Sequence, residues 1–300
     1  VLIPGIHHED LTLEMMRQLN QEMEGALEMA MQMFLGTYHR PFFNQLIASQ
    51  LDVDRLDYLR RDSFYTGVAE GVIGSERIIK MMVVHNDELL LEEKGIYSIE
   101  KFLIARRLMY WQVYLHKTVL GAEALLHTIF RRARHLVSEG QELFGTPGLQ
   151  AILQLQNSER VTSEMLNAFV GLDDYDVMAS IKVWSLHPDM VLASLCQRLL
   201  NRQLWKVRVQ SEPFSDSFHQ SCKTRIERHF GISSTDAEYF LAKGSVSNRT
   251  YDASKWPIRF YMKSGQVQDF FSVSDNLSAE NTLNEVRKYF VCFPKEVSIS

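Results

Sequence analysis

The chain has 300 residues, 46% of them hydrophobic and 23% charged, which excludes a disordered protein and leaves room for well-filled cores. A net charge of −5 excludes a protein whose main task is coating nucleic acid, though a local basic pocket for phosphate is compatible with it. Three cysteines (Cys196, Cys222, Cys292), odd in number and far apart, fit neither a disulfide framework nor a zinc knuckle; with no apolar run of membrane-spanning length and no signal peptide, a reducing, cytoplasmic setting is expected. The chain opens on Val1 rather than Met, and Val1 to Gly5 reads as the middle of a longer polypeptide.

His7-His8-Glu9-Asp10 stands just before the first periodic segment, where a histidine feels the positive end of a helix dipole and can serve as acid, base or ligand, or simply as a capping-region residue. Leu11, Met15, Leu19, Met23, Leu27 and Met31 recur every four residues and predict one amphipathic helix over 10–35. Pro41 breaks it, and a short apolar helix over 42–48 follows. Residues 51–67 hold four aspartates, three arginines and two tyrosines in a stretch that reads as a helix closed by Gly67. Gly67, Gly71 and Gly74 match no phosphate-loop spacing and predict a turn.

Residues 81–84 and 88–91 predict a β-hairpin joined by His85, Asn86 and Asp87. Ser98 is placed to cap a long helix reaching about residue 139, with Tyr97 and Phe102 as a staple. Gly121 and Ala122 in its middle predict close packing. Further helices are predicted over 163–170, 175–185 and 189–202, opened by Pro147-Gly148. After Leu204, strands are predicted over 204–209, 239–242, 258–262 and 269–273, a turn at 263–266, and helices over 218–229 and 279–289. The fold class expected is mainly α, with a helical body, a small β-hairpin and a C-terminal α+β subdomain, divided as 1–140, 141–205 and 206–300.

Two constellations can carry chemistry. Asp54, Tyr58 and Asp62 share one helical face with Arg55 at its edge, a set suited to a metal and a phosphorylated, hydroxylated ligand; a solvated, salt-bridged surface helix fits the spacing equally. Arg106, Tyr110, Tyr114 and Lys117 form a second stripe, able to grip a polyphosphate and pack on a sugar, or to be a tyrosine seam with exposed basic ends.

The string D-V-D-R-x-D-Y-x-x-R-D at 52–62, with Tyr114-Leu-His-Lys117, resembles the HD-domain deoxynucleoside triphosphohydrolases over roughly residues 1–135. That resemblance implies hydrolysis of a deoxynucleoside triphosphate to deoxynucleoside and triphosphate. It assigns Asp54 to a divalent metal (Mg, Mn, Fe, Ni or Zn), Arg55 and Arg106 to the triphosphate, Tyr58, Asp62 and Tyr114 to the sugar, and His8 to catalysis. Lys117 matches an effector-nucleotide lysine, which implies a nucleotide effector besides the substrate, and the family's assembly as dimers or larger implies a homo-oligomer. The family's H…HD ligands fall upstream of the His8 position, so this chain holds one of four expected metal ligands. Two other functions fit the same residues: an HD-type phosphohydrolase of another nucleotide or phosphoester, and a nucleotide sensor without catalysis.

Overall fold

The computed structural model describes residues 5–155, 161–249, 251, 256–278 and 284–298. In place of one helix over 10–35 stand α1 (His8–Glu22) and α2 (Glu28–Leu35). Glu24 and Gly25 take φ of 52° and 91°, a left-handed pair that no right-handed helix runs through. The Asn20 carboxamide then accepts the Leu27 amide at 2.8 Å, just ahead of α2. Apolar residues keep their four-residue step across this break, which hid it from the periodicity.

α3 (Pro41–Ala48) has proline in its first turn, where the missing N–H costs nothing. α4 (Val53–Thr66) runs from an Asp52 cap to Gly67 at φ 71° and buries Leu56, Leu59 and Ser63. A 3-10 turn at Ala69–Gly71 and α5 (Ser75–Met81) follow. The hairpin β1 (Met82–His85) and β2 (Glu88–Glu92) sets His85 opposite Glu88, so its loop is two residues rather than three. Asn86 and Asp87 take φ of 50° and 60°, as a primed turn requires.

The long helix expected up to residue 139 is interrupted. α6 (Ile96–Met109) starts before Ser98 without a side-chain cap, and Tyr97 is 65% exposed, so it forms no staple with the buried Phe102. Residues Tyr110–Tyr114 widen into a π-turn, and α7 (Lys117–Ser138) begins afresh. Close packing at Gly121 holds: a Cβ there would sit 3.1 Å from Val207 and 3.2 Å from the Trp205 carbonyl. α8 (Pro147–Gln154) starts at the Pro147-Gly148 expected to open this group, and α9 (Ser163–Val170), α10 (Asp174–Trp184) and α11 (Met190–Leu200) match the three helices expected after it to within two residues, capped by Thr162, Asp173 and Asp189.

β3 (Lys206–Gln210) and α12 (Asp216–Phe230) also follow the sequence. Residues 238–240 instead make a 3-10 turn ahead of β4 (Ala242–Asn248). β5 (Arg259–Tyr261) and β6 (Val267–Asp269) form the hairpin, and Phe270–Val273 is a helical turn rather than strand. The helix expected over 279–289 is contradicted at its end by β7 (Val286–Phe293); residues 279–283 lie outside the described ones.

Two compact units result. One comprises residues 1–19, 117–246 and 288–300. Its sheet runs β3-β7-β4, and its core includes Leu125, Ile129, Trp184 and the three buried cysteines. The other comprises residues 20–116 and 247–287. Here β2 and β5 pair in parallel, Leu91 opposite Phe260, giving the sheet β1-β2-β5-β6 over a core that holds Leu59, Phe102 and Phe270. Strands from the last hundred residues thus serve both units. Among the described residues, no helix is long and apolar enough to cross a membrane.

Candidate active site

Six of the eight residues singled out from the sequence lie in the second unit: Asp54, Arg55, Tyr58 and Asp62 on α4, Arg106 near the end of α6, and Tyr114 closing the π-turn. His8 and Lys117, the first residues of α1 and α7, belong to the other unit and are exposed. The His8 carbonyl accepts the Thr12 hydroxyl at 2.9 Å.

Burial of Leu56, Leu59 and Ser63 fixes how α4 turns, leaving Asp54 exposed and Tyr58 and Asp62 half-buried. Tyr114 donates its hydroxyl to Asp62 Oδ2 at 2.7 Å. Its ring meets Tyr58 edge-on at 6.0 Å between centroids and Tyr110 edge-on at 5.3 Å. Arg106, 9% exposed, lies over the Tyr110 ring at 5.6 Å. The π-turn shapes this cluster. The Leu115 amide reaches back five residues to the Tyr110 carbonyl at 2.7 Å, changing the angular step that carries Tyr110 and Tyr114.

Burial raises the Tyr58 hydroxyl above its ordinary range, with the nearby Tyr110 adding to it. Burial, and then the Asp62 hydrogen bond, holds the Tyr114 hydroxyl far above that range. Both phenols therefore stay protonated donors at neutral pH.

Asp52 was not among the expected site residues. It is 5% exposed; burial raises its carboxyl, against the lowering effect of the Arg55 amide and guanidinium. Oδ1 accepts the Arg55 amide at 2.7 Å, and Oδ2 accepts Arg55 Nη1, which also donates to the Ser49 carbonyl. A D-x-x-R spacing at a helix start was the available signal.

Asp54 offers a single carboxylate. Among the described residues no group of three or more His, Cys, Asp or Glu side chains comes together to hold a metal. A divalent ion needs several oxygen or imidazole ligands, so the described residues do not by themselves fit the metal centre implied by the resemblance.

Residues 73–169, from the turn before α5 to the end of α9, match the family model described as an HD associated region. The fold is similar to the crystal structure of a phosphohydrolase from Bacteroides thetaiotaomicron VPI-5482. The TM-score is 0.93 at 42% identity, covering 98% of this chain and 74% of that one. Uncharacterized protein YwfO of Bacillus subtilis is 30% identical over 279 residues, 88% of this chain and 62% of YwfO. A Dictyostelium discoideum protein named deoxynucleoside triphosphate triphosphohydrolase SAMHD1 homolog is 26% identical over 150 residues, 46% of this chain and 29% of that protein. The mainly α architecture with small sheets is that of the phosphohydrolase crystal structure. With the 42% identity over nearly its whole length, the chain belongs to the HD-domain phosphohydrolase superfamily. It spans 62% of the length of YwfO and 48% of a Mycoplasma pneumoniae relative.

Proposed function

We propose that the full-length protein hydrolyses deoxynucleoside triphosphates to deoxynucleoside and inorganic triphosphate. The observation that carries this reading is the Asp62–Tyr114 hydrogen bond packed against Tyr58, with Arg106 over the adjoining Tyr110 ring and Arg55 on the same helix as Tyr58 and Asp62. Aromatic edges pack on an apolar sugar face, and a carboxylate beside them accepts a sugar hydroxyl. In the reaction a water oxygen bonds to the α-phosphorus, the P–O5′ bond breaks, and the 5′ oxygen takes up a proton. Arg55 and Arg106 oppose the charge that builds on the phosphates. His8 is the proposed proton-transfer group and rests on the resemblance. A divalent ion with Asp54 as one ligand belongs to this reading on kinship alone.

The proposed effector contact at Lys117 has local support in its own unit. There Lys117, Lys206, Arg208, Phe214 and Phe218 line a cavity of about 510 Å³, cations beside aromatic rings. A homo-oligomer and a cytoplasmic setting complete the proposal.

Two rival readings of the same residues are a phosphohydrolase of another nucleotide or phosphoester and a nucleotide sensor without catalysis. Incubating full-length protein with deoxynucleoside and ribonucleoside triphosphates, cyclic nucleotides and phosphomonoesters, across several divalent metals, separates the readings. Equal amounts of deoxynucleoside and triphosphate support the proposal. Turnover of another phosphoester alone, or nucleotide binding without turnover, replaces it.

A further inference from the structure

Asp52 divides its two oxygens between the backbone and the side chain of one residue, Arg55. As the cap of α4 it accepts the Arg55 amide; as a carboxylate it accepts Arg55 Nη1. The second hydrogen of Nη1 goes to the Ser49 carbonyl, within the buried connection where Ser49 Oγ itself accepts the Leu51 amide at 3.1 Å. An arginine carries five N–H donors in a planar fork, so two are engaged on the protein and those on Nη2 and Nε are left over. A fork tethered at two points has shed most of its rotamer freedom before any ligand arrives, which lowers the ordering cost of binding.

We infer that Asp52 is a positioning residue for the triphosphate, acting by holding the Arg55 fork with Nη1 occupied and Nη2 and Nε available. This rests on the proposed role of Arg55 in deoxynucleoside triphosphate hydrolysis. Capping alone would make Asp52 a purely structural residue. Asparagine caps helices as well as aspartate does, so Asp52→Asn keeps the cap and removes the charged tether.

Steady-state triphosphate release by the full-length protein reads the difference. D52N raises KM about tenfold, the size of one charge-assisted hydrogen bond, with kcat within about twofold and an unchanged melting temperature. D52N combined with Arg55→Ala is no worse than R55A alone. Arg55→Lys leaves the Asp52 cap intact and carries the test if D52N melts early: it keeps the charge, loses the fork, and raises KM to a similar extent. A wild-type KM in D52N, or in R55K where D52N melts early, overturns the inference, as do D52N and R55A losses that multiply in the double variant. Absence of triphosphate release from the unmutated protein instead removes the functional reading, and this inference with it.

Discussion

Tyr114→Phe removes one oxygen from the candidate site and little else. The ring keeps its edge contacts with Tyr58 at 6.0 Å and Tyr110 at 5.3 Å, so packing volume survives. What is lost is the 2.7 Å hydrogen bond to Asp62, a hydrogen bond to a carboxylate. Such bonds contribute about 1.5–3 kcal/mol, and both partners here are half-buried, so water recovers part of the loss. The lower end applies: about 1.5 kcal/mol, or roughly tenfold. We expect Y114F to lower kcat/KM for a deoxynucleoside triphosphate by about that factor, because Asp62, the proposed sugar-hydroxyl acceptor, loses the partner that orients its carboxylate. Steady-state triphosphate release, with urea unfolding as a check on the fold, measures both effects. Since the Tyr114 hydroxyl is held far above its ordinary range, the wild-type rate shows no phenol titration below about pH 10. Wild-type kcat/KM and stability in Y114F would refute the reasoning, as they would mean Asp62 is positioned without Tyr114.

Two further outcomes follow from buried charges away from the reacting groups. Glu100, 3% exposed, accepts Ser274 Oγ at 2.5 Å, Asn276 Nδ2 at 2.6 Å, and the amides of Asp275 and Asn276 at 3.1 Å each. Burial alone would raise its carboxyl, but these hydrogen bonds outweigh burial and hold it below the usual range. Its folded pKa is depressed, so its stabilisation is complete above the unfolded value of about 4.3 and fades as pH falls through the folded one. The stability gap between wild type and Glu100→Gln in urea unfolding should therefore narrow in acid; a gap that stays constant from pH 7 to pH 3 counts against it. Arg132 bonds both oxygens of Asp189, Nε to Oδ1 at 3.0 Å and Nη2 to Oδ2 at 2.5 Å, and lies 3.3 Å from Asp236. Arg132→Met leaves the α11 cap as a nearly buried, unpaired carboxylate, and we expect a loss of about 3–5 kcal/mol. A chemical-denaturation midpoint equal to wild type would show that this network contributes nothing.

The most legible part of the sequence was α4. An Asp cap, Leu56 and Leu59 on the inner face and Gly67 at the end all point to the same helix. The helices at 163–170, 175–185 and 189–202 were legible too, and the structure adds the local devices that start them, the caps Thr162, Asp173 and Asp189. Long-range and irregular features were not. The π-turn at 110–114 preserves the apparent four-residue spacing of Arg106, Tyr110 and Tyr114, so the sequence shows a stripe where the backbone has an extra residue per turn. The turn at Glu24 lacks the Gly or Asn usual at positive φ, leaving Gly25 as the one local signal. Phe270–Val273 reads as strand by composition, yet burial of Phe270 in a helical turn decides otherwise. Parallel pairing of β2 with β5 joins residues about 170 apart, which no local pattern encodes. Of the site itself, the α4 face was readable from spacing, whereas the Asp52 tether depends on burial of the α3–α4 connection.

Product analysis on the full-length protein and its Asp54→Ala variant tests the central claim most directly. With a deoxynucleoside triphosphate and a divalent metal, the wild type should release deoxynucleoside and inorganic triphosphate in equal amounts, and D54A at least about a hundredfold less. Release of pyrophosphate or monophosphate in place of triphosphate, or triphosphate release undiminished in D54A, would contradict it.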